Sequence, residues 1–119
     1  MVVDDNDEVR SVFSISLKMQ GHEVIECTRG AEAIELFPKQ RPEIVILDQS
    51  LPEIKGIEVG KQIRQLENGP NVVLALITGT DNAALRQLAE EAGFDDFLLK
   101  PISITELANW VDRVGLNQS

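Results

Sequence analysis

The sequence predicts an α/β domain built on a doubly wound, five-stranded parallel sheet with the strand order 2-1-3-4-5. Two short runs, 44–47 and 72–77, are continuously apolar, as strands are when both faces of a parallel sheet are covered. Segments with the apolar spacing of helices alternate with these runs and with three weaker strand patterns. Connections this short imply right-handed crossovers, which place helices on both faces of the sheet. In this strand order the two apolar runs are interior strands.

Five segments are predicted as strands, and each ends at a turn or a polar residue. The first is short for a strand, because an acidic pair follows only three apolar residues. The second alternates polar and apolar residues, which is typical of a half-exposed edge strand. The third runs directly into an aspartate. The predicted strands are Met1–Val3, His22–Cys27, Ile44–Asp48, Val72–Ile77 and Phe94–Leu99.

The first three helices are bounded by residues that start or stop helices. Asn6 or Asp7 caps the first helix, and Gly21 ends it. The second is a short helix that Pro38 limits, because proline cannot donate a helical hydrogen bond. The third follows a loop that ends at Gly56 and continues until an Asn-Gly-Pro run breaks it.

The last two helices carry their apolar residues on one face. Asp81 or Asn82 opens the fourth helix and Gly93 ends it. The residues expected on its inner face are Ala84, Leu85, Leu88, Ala89 and Ala92. Ser103 and Glu106 have the spacing of a capping box at the start of the fifth helix. The residues expected to face inward from that helix are Leu107, Trp110, Val111 and Val114.

The chain has 119 residues, enough for one domain with one core, and we assign residues 1–119 to it. Its formal net charge of −9 argues against binding of nucleic acid or of an anionic membrane surface by this domain. No apolar run approaches the roughly 20 residues of a membrane helix, and no targeting segment is visible. The one cysteine, Cys27, is expected to be a small buried side chain and suits a reducing compartment. We therefore expect a cytoplasmic location.

Polar side chains follow four of the five predicted strands. Asp4 and Asp5 follow the first, Asp48 ends the third, Thr78 follows the fourth and Lys100 follows the last. Because parallel strands all end on the same side, we expect these five residues at one rim of the sheet, where such sheets bind ligands. One aspartate after a strand is often only a helix cap. Five such residues at one rim are much harder to explain as caps.

The residue types at this rim are suited to phosphoryl transfer. Three neighbouring carboxylates repel one another and need either a proton or a hard cation, and oxygen ligands favour Mg²⁺, with Mn²⁺ as the alternative. A lysine opposite a carboxylate holds it ionised and can pair with phosphoryl oxygens, and the Thr78 hydroxyl can bind another. Phosphoryl transfer needs mainly positioning and charge neutralisation. An ionised Asp48 can then serve as the nucleophile and form an acyl phosphate.

These residues are also where the chain resembles the receiver domain of two-component response regulators. Asp4-Asp5 is similar to the acidic pair after that family's first strand, and Asp48 with its Leu-Pro-x-x-x-Gly loop is similar to the phosphoacceptor. The resemblance implies that a histidine kinase or a histidine phosphotransfer protein donates a phosphoryl group to Asp48. It also implies that Asp5, Asp48 and the backbone carbonyl of Ser50 ligate Mg²⁺, with Asp4 close by through water.

The resemblance covers essentially the whole chain and includes the family's switch residues. Thr78-Gly79 is similar to the switch threonine and the small residue after it, Phe97 to the switch aromatic, and Lys100-Pro101 to a pair joined by a cis peptide bond. The implied fold is flavodoxin-like, with Lys100 and Thr78 contacting the phosphoryl oxygens. Thr78 would move toward the phosphoryl group and Phe97 would turn inward. This motion repacks the face of helix 4, strand 5 and helix 5, which is also the face where receivers form homodimers.

Some positions depart from the family pattern, and others resemble one subgroup of the family. Lys55 stands where the family usually carries Asp or Asn, which places a cation near the site. Ser50 and Thr80 leave room for a water near the phosphoryl group, so we expect a phosphorylated state of short to moderate lifetime. Asn6 and the stretches 21–24 and 93–97 resemble receivers fused to hybrid sensor kinases. The domain is expected to be a phosphoacceptor that assists its own phosphorylation, and not an enzyme with a separate substrate.

Three other functions fit parts of this pattern. A phosphatase of the haloacid dehalogenase type also uses an aspartate after a strand, but it needs a second one where this chain has Ser50. A flavodoxin-like nucleotide binder would want a hydroxyl- and glycine-rich loop where Asp4-Asp5 would repel a phosphate. A receiver-like interaction module that works without phosphorylation typically lacks one of the acids or the lysine, and all are present here.

Overall fold

The computed structural model describes residues 1–118, with side chains through residue 115. Within this range five parallel strands alternate with five α-helices, and the strand order β2-β1-β3-β4-β5 confirms the predicted topology. The elements are β1 (Val2–Val3), α1 (Asp7–Met19), β2 (Glu26–Cys27), α2 (Gly30–Gln40), β3 (Ile44–Asp48), α3 (Gly56–Arg64), β4 (Val73–Thr78), α4 (Ala83–Glu91), β5 (Asp96–Leu99) and α5 (Ile104–Gln118).

Strands β3 and β4 form the centre of the sheet, as their continuous apolar runs predict. Val45 and Leu74 pair in register, and both are fully buried. One apolar cluster lies between the sheet and helices α2, α3 and α4, and a second lies between the sheet and helices α1 and α5. Each large side chain buried in this way contributes roughly 1.5–3 kcal/mol to the free energy of folding. The two clusters therefore hold β3 and β4 from both faces.

Helix α5 begins with the predicted capping contact and packs its predicted face inward. The Ser103 hydroxyl oxygen accepts a hydrogen bond from the Glu106 N–H at 3.0 Å. Trp110 is buried in the cluster below β1, β3 and β4, and its Nε1 donates to Asp96 Oδ2 at 2.8 Å. The indole is therefore a core residue whose polar atom is tied to strand β5.

The second strand and the second helix differ in extent from the sequence prediction. Only Glu26–Cys27 of the predicted second strand forms a ladder, because β1 is two residues long and offers no more partners. Helix α2 does not stop at Pro38 but continues to Gln40. Proline in the last turn removes one helical hydrogen bond only, and the Arg41 N–H still donates to the Phe37 carbonyl at 2.9 Å.

Helix α4 also differs, because the predicted inner face was too wide. Ala89 and Ala92 are buried, but Ala84 and Leu88 are exposed, and Leu85 is half-buried. The helix packs at the edge of the sheet, beside the four-residue strand β5. The sheet ends there, so part of the apolar face of α4 is left uncovered. The strands β4 and β5 begin later than predicted, at Val73 and Asp96.

Candidate functional site

The ends of β1, β3, β4 and β5 meet at one rim of the sheet. Asp48 pairs with Ile77 at the end of the β3–β4 ladder, so its backbone position is set by the two central strands. Beyond the ladder, the Gln49 N–H donates to the Ile77 carbonyl at 2.9 Å, and the Lys100 N–H donates to the Thr78 carbonyl at 2.8 Å. These two bonds hold the loops that leave the rim against β4.

Three carboxylates cluster at this rim. Asp4, Asp5 and Asp48 each offer an oxygen within 4.8 Å of the others. Asp4 and Asp48 are both only 4% exposed, whereas Asp5 is exposed. Burial raises the pKa of Asp4, and the nearby Asp48 and Asp5 charges raise it further, against the opposing effects of the Asn6 N–H and Lys100. A cluster of three carboxylates, two of them buried, offers the oxygen ligands that a hard divalent cation such as Mg²⁺ prefers.

Lys100 supplies the positive charge nearest to Asp48. Its Nζ donates to Asp48 Oδ1 at 3.1 Å, and the backbone N–H of Ser50 donates to the same oxygen at 3.2 Å. Among the described residues no donor contacts Oδ2, which leaves one carboxylate oxygen free of the protein. The Lys100–Pro101 peptide bond is cis.

Thr78 is buried at the end of β4, with its hydroxyl turned into the following loop. Its Oγ1 accepts a hydrogen bond from the Thr80 N–H at 3.1 Å. No hydrogen bond joins Thr78 to Asp48 in the part of the chain that the structure describes. The hydroxyl is therefore at the rim but is held by its own loop.

The loop after Asp48 packs tightly against the strand that carries it. A Cβ atom on Gly56 would lie 2.6 Å from the Asp48 carbonyl oxygen, so only glycine fits there. The Gln49 side chain accepts a hydrogen bond from the Ile57 N–H at 2.9 Å and so caps helix α3. Lys55 is exposed at the start of that helix and makes no side-chain capping bond.

Phe97 is half-buried on β5, under a side chain that sequence reasoning missed. The guanidinium carbon of Arg86 lies 4.5 Å from the centre of the Phe97 ring. Arg86 Nε also donates to Asp81 Oδ1 at 2.9 Å, and Asp81 belongs to the loop that follows Thr78. The sequence does contain an indication of this contact. Asp81 and Arg86 are five residues apart across the start of α4, a spacing that allows an ion pair.

Arg10 is the second residue that sequence reasoning missed. It lies on α1, one turn beyond the acidic pair, and its Nη1 donates to the Asp4 carbonyl at 2.9 Å. Side chains on a helix lean toward its N-terminus, so an arginine in the first turn of α1 can reach the end of β1. That rule could have identified Arg10 from its position alone.

Sequence comparison identifies the family to which this arrangement belongs. The profile of the response regulator receiver domain matches residues 1–112. The response regulator MprA of Mycobacterium sp. (strain KMS) is 36% identical over 107 residues, covering 90% of this chain and 46% of that protein. The CAI-1 autoinducer sensor kinase/phosphatase CqsS of Vibrio cholerae is 30% identical over 116 residues, covering 93% of this chain and 17% of that protein. The chain thus spans about half or less of the curated relatives named here.

Structure comparison leads to the same family. The chemotaxis protein CheY4 of Vibrio cholerae superposes with a TM-score of 0.91 at 26% identity, covering 95% of this chain and 94% of that one. No helix within residues 1–118 is both long and apolar enough to cross a bilayer. From its profile match and its fold, the chain belongs to the response regulator receiver domain family.

Proposed function

We propose that Asp48 accepts a phosphoryl group from the phosphohistidine of a histidine kinase or a histidine phosphotransfer protein. The single observation that carries this proposal is the position of Asp48. It is a buried carboxylate, and one of its oxygens accepts a hydrogen bond from Lys100. The carboxylates of Asp4 and Asp5 are close enough to bind the same cation. Helix capping alone does not explain this set of neighbours.

In the proposed reaction the free oxygen of Asp48 is the nucleophile. Lys100 and the Ser50 N–H hold Oδ1, so Oδ2 is the oxygen that faces the incoming group. A bond forms between Oδ2 and phosphorus while the P–N bond breaks, and its electron pair leaves with the histidine ring. Lys100 then also contacts a phosphoryl oxygen, where its charge offsets the negative charge of the transferred group.

Asp5, Asp48 and the backbone carbonyl of Ser50 are the groups that would hold Mg²⁺, with Asp4 close by. When bound, the cation would offset part of the negative charge of the carboxylates and of the phosphoryl oxygens, and with Lys100 it would supply the charge stabilisation that phosphoryl transfer requires. Mn²⁺ has similar ligand preferences and is the expected substitute.

Thr78 and Phe97 are the proposed switch. The Thr78 hydroxyl oxygen accepts a hydrogen bond from the Thr80 N–H, and a phosphoryl group on Asp48 would give its O–H an anionic acceptor to donate to. Movement of the Thr78 loop opens space for the half-buried Phe97 ring to turn inward. The face formed by α4, β5 and α5 then changes shape and regulates an output or relay partner. One way in which this face would act is by forming a homodimer with a second copy of the chain.

The partner is proposed to dock on an apolar groove next to Lys100. This groove has a volume of about 740 Å³ and lies between α1 and the β5–α5 loop, lined by Val9, Val12, Phe13, Pro101 and Ile104. Val12 and Ile104, two of its lining residues, are exposed large apolar side chains. A helix laid in the groove would bring its histidine to the rim, because the groove borders the lysine that contacts Asp48.

The phosphorylated state is proposed to last for a short to moderate time. Ser50 and Thr80 are both exposed and small, so water can reach the phosphoryl group beside them. A half-life of many hours in Mg²⁺ without a phosphatase would contradict this proposal.

Acetyl phosphate tests the phosphoacceptor directly. We expect the domain in Mg²⁺ to gain the mass of one phosphoryl group, and the Asp48→Asn variant to gain none. Asp112→Asn, which changes an exposed aspartate on α5, should behave like the wild type. An adduct on Asp48→Asn, or no adduct on the folded wild type, would refute the assignment.

A second experiment tests the docking groove. Val12→Glu should slow transfer from an autophosphorylated histidine kinase that phosphorylates the wild type, and should leave phosphorylation by acetyl phosphate unchanged. Leu88→Glu is the matched control, because Leu88 is similarly exposed but lies on α4. Equal slowing by both variants would place the docking surface elsewhere.

The wider protein is proposed to be a cytoplasmic two-component regulator or the receiver part of a hybrid histidine kinase. MprA is named a response regulator and CqsS a sensor kinase/phosphatase, and the chain matches one part of each. Neither role requires this domain to bind nucleic acid or a membrane, in agreement with its net charge of −9.

A further inference from the structure

The guanidinium of Arg10 lies behind the acidic pair and joins three parts of the fold. Its Nη1 donates to the Asp4 carbonyl at 2.9 Å, its Nη2 to Asp7 Oδ1 at 2.6 Å and its Nε to Glu26 Oε1 at 3.3 Å. Only 11% of the Arg10 side chain is exposed. One side chain thus links the β1–α1 turn, helix α1 and strand β2.

The orientation of this guanidinium is fixed in turn by the contacts of Glu26. The second oxygen of Glu26 accepts a hydrogen bond from the Ser14 hydroxyl at 3.1 Å, and Ser14 is buried. A planar guanidinium with acceptors on three of its nitrogens has little freedom to rotate. Its charge is also offset by Asp7 and Glu26, so Arg10 does not compete strongly with a cation at the rim.

Arg10 acts on the acidic pair through the peptide group between Asp4 and Asp5. The carbonyl that it contacts belongs to that peptide, which is planar, so the contact also sets the direction in which Asp5 leaves. From the other side, the Asn6 N–H donates to Asp4 Oδ1 at 2.9 Å. We propose that Arg10 is a positioning residue for the cation site, because its hydrogen bond to the Asp4 carbonyl orients the Asp4 and Asp5 carboxylates toward Asp48.

This proposal rests on the proposed function and is tested by the affinity for Mg²⁺. Arg10→Met removes all three hydrogen bonds and keeps an unbranched apolar stem. Arg64→Met is the matched control, since Arg64 is also largely covered and donates to the carbonyls of Gly69, Val72 and Gly93. Those contacts lie before β4 and β5, at the end of the sheet opposite the rim.

Two measurements separate positioning from general stability. Titration calorimetry gives the dissociation constant for Mg²⁺, and the rate of phosphorylation by acetyl phosphate is measured at saturating Mg²⁺. We expect Arg10→Met to raise the dissociation constant about tenfold, as loss of a group that orients metal ligands does. Its rate at saturating Mg²⁺ should stay within about twofold of the wild type, because the bound cation restores the arrangement. Arg64→Met should lower the melting temperature and leave the dissociation constant unchanged.

Glu26→Gln provides a milder variant if Arg10→Met does not fold. It should weaken Mg²⁺ binding in the same direction by a smaller factor, because it loosens the group that orients Arg10. Unchanged affinity in folded Arg10→Met or Glu26→Gln, with binding lost in Asp5→Asn, would overturn this proposal alone. An equal loss of affinity in Arg64→Met would also overturn it. Failure of the wild type to bind Mg²⁺ would overturn the proposed function together with this inference.

Discussion

Asp4 is placed near the proposed cation, but its buried charge destabilises the metal-free domain. Its carboxylate is buried next to two others, and burial is the main reason that its pKa is raised. In the folded protein the proton is therefore bound more tightly than in the unfolded chain. The resulting stabilisation is fully present below the unfolded pKa, near 3.8, and is lost as the pH rises through the folded pKa.

Asp4→Asn should stabilise the metal-free domain at neutral pH, by about 1 kcal/mol, because it removes a buried charge from a cluster of like charges. The gain should vanish near the unfolded pKa, since Asp4 is then neutral in the wild type also. Urea unfolding in EDTA at a series of pH values measures it. Glu90→Gln, at an exposed acid on α4, is the control and should show no such pH-dependent gain. A gain that is independent of pH would contradict the charge argument.

Gly56→Ala tests the close contact beneath Asp48. An added Cβ would lie 2.6 Å from the Asp48 carbonyl oxygen, so backbone at the rim must shift. We expect a loss of about 1–3 kcal/mol in the free energy of unfolding, as for overpacked sites, together with slower phosphorylation. A Cβ added at Gly115 would meet no atom within 4 Å, so Gly115→Ala should leave the free energy of unfolding unchanged or increase it. Comparable losses in both variants would show that contact with Asp48 is not the cause.

At the scale of elements, a side chain of α4 contacts the ring of Phe97 on β5, the proposed switch residue. Arg86 covers the Phe97 ring and is itself paired with Asp81 in the loop after Thr78. An exposed cation–π contact is worth about 0.5–1 kcal/mol. Such a contact is small compared with the stability of a domain but is large enough to shift a balance between two conformations.

Arg86→Gln should therefore favour the phosphorylated conformation, because it removes a contact that holds Phe97 in the conformation seen here. We expect beryllofluoride, a phosphoryl mimic, to bind roughly two- to fivefold more tightly, the equivalent of that contact. Trp110 fluorescence reports the titration, since its indole is hydrogen-bonded to Asp96 beside Phe97. Gln87→Ala, on the same helix, should leave the affinity unchanged. Weaker binding by Arg86→Gln would show that the contact belongs to the phosphorylated state instead.

For the whole molecule, the proposed cation site would link metal binding to folding, because its carboxylates come from different strands. Asp5 follows β1 and Asp48 ends β3, so only the folded chain holds them together. Mg²⁺ at ten times its dissociation constant should stabilise the fold by about 1.4 kcal/mol and raise the melting temperature by about 5 °C. Thermal melts with Mg²⁺ and with EDTA measure the shift. The same shift in Asp5→Asn would place the bound cation outside this cluster.

The strand order and the convergence at the rim could be predicted because both follow from short, continuously apolar runs. The run before Asp48 forms the predicted strand, and parallel pairing then places Thr78 and Lys100 beside it. The extent of β2 could not be predicted, because it depends on how much of β1 is available as a partner. Periodicity likewise could not show that Leu88 is exposed, since the width of the edge beneath α4 is a property of the assembled sheet.

Lys100 directly follows the last strand of the sheet, and this position has a consequence for the order of synthesis. A ribosome delivers Asp4, Asp5 and Asp48 well before the segment that carries the lysine. A domain folds as a unit, so the carboxylates that emerge early meet the lysine only when the last strand is available. The proposed phosphoacceptor site is therefore complete only when β5 has joined the sheet. A truncated product that lacks this strand is expected to gain no phosphoryl group from acetyl phosphate.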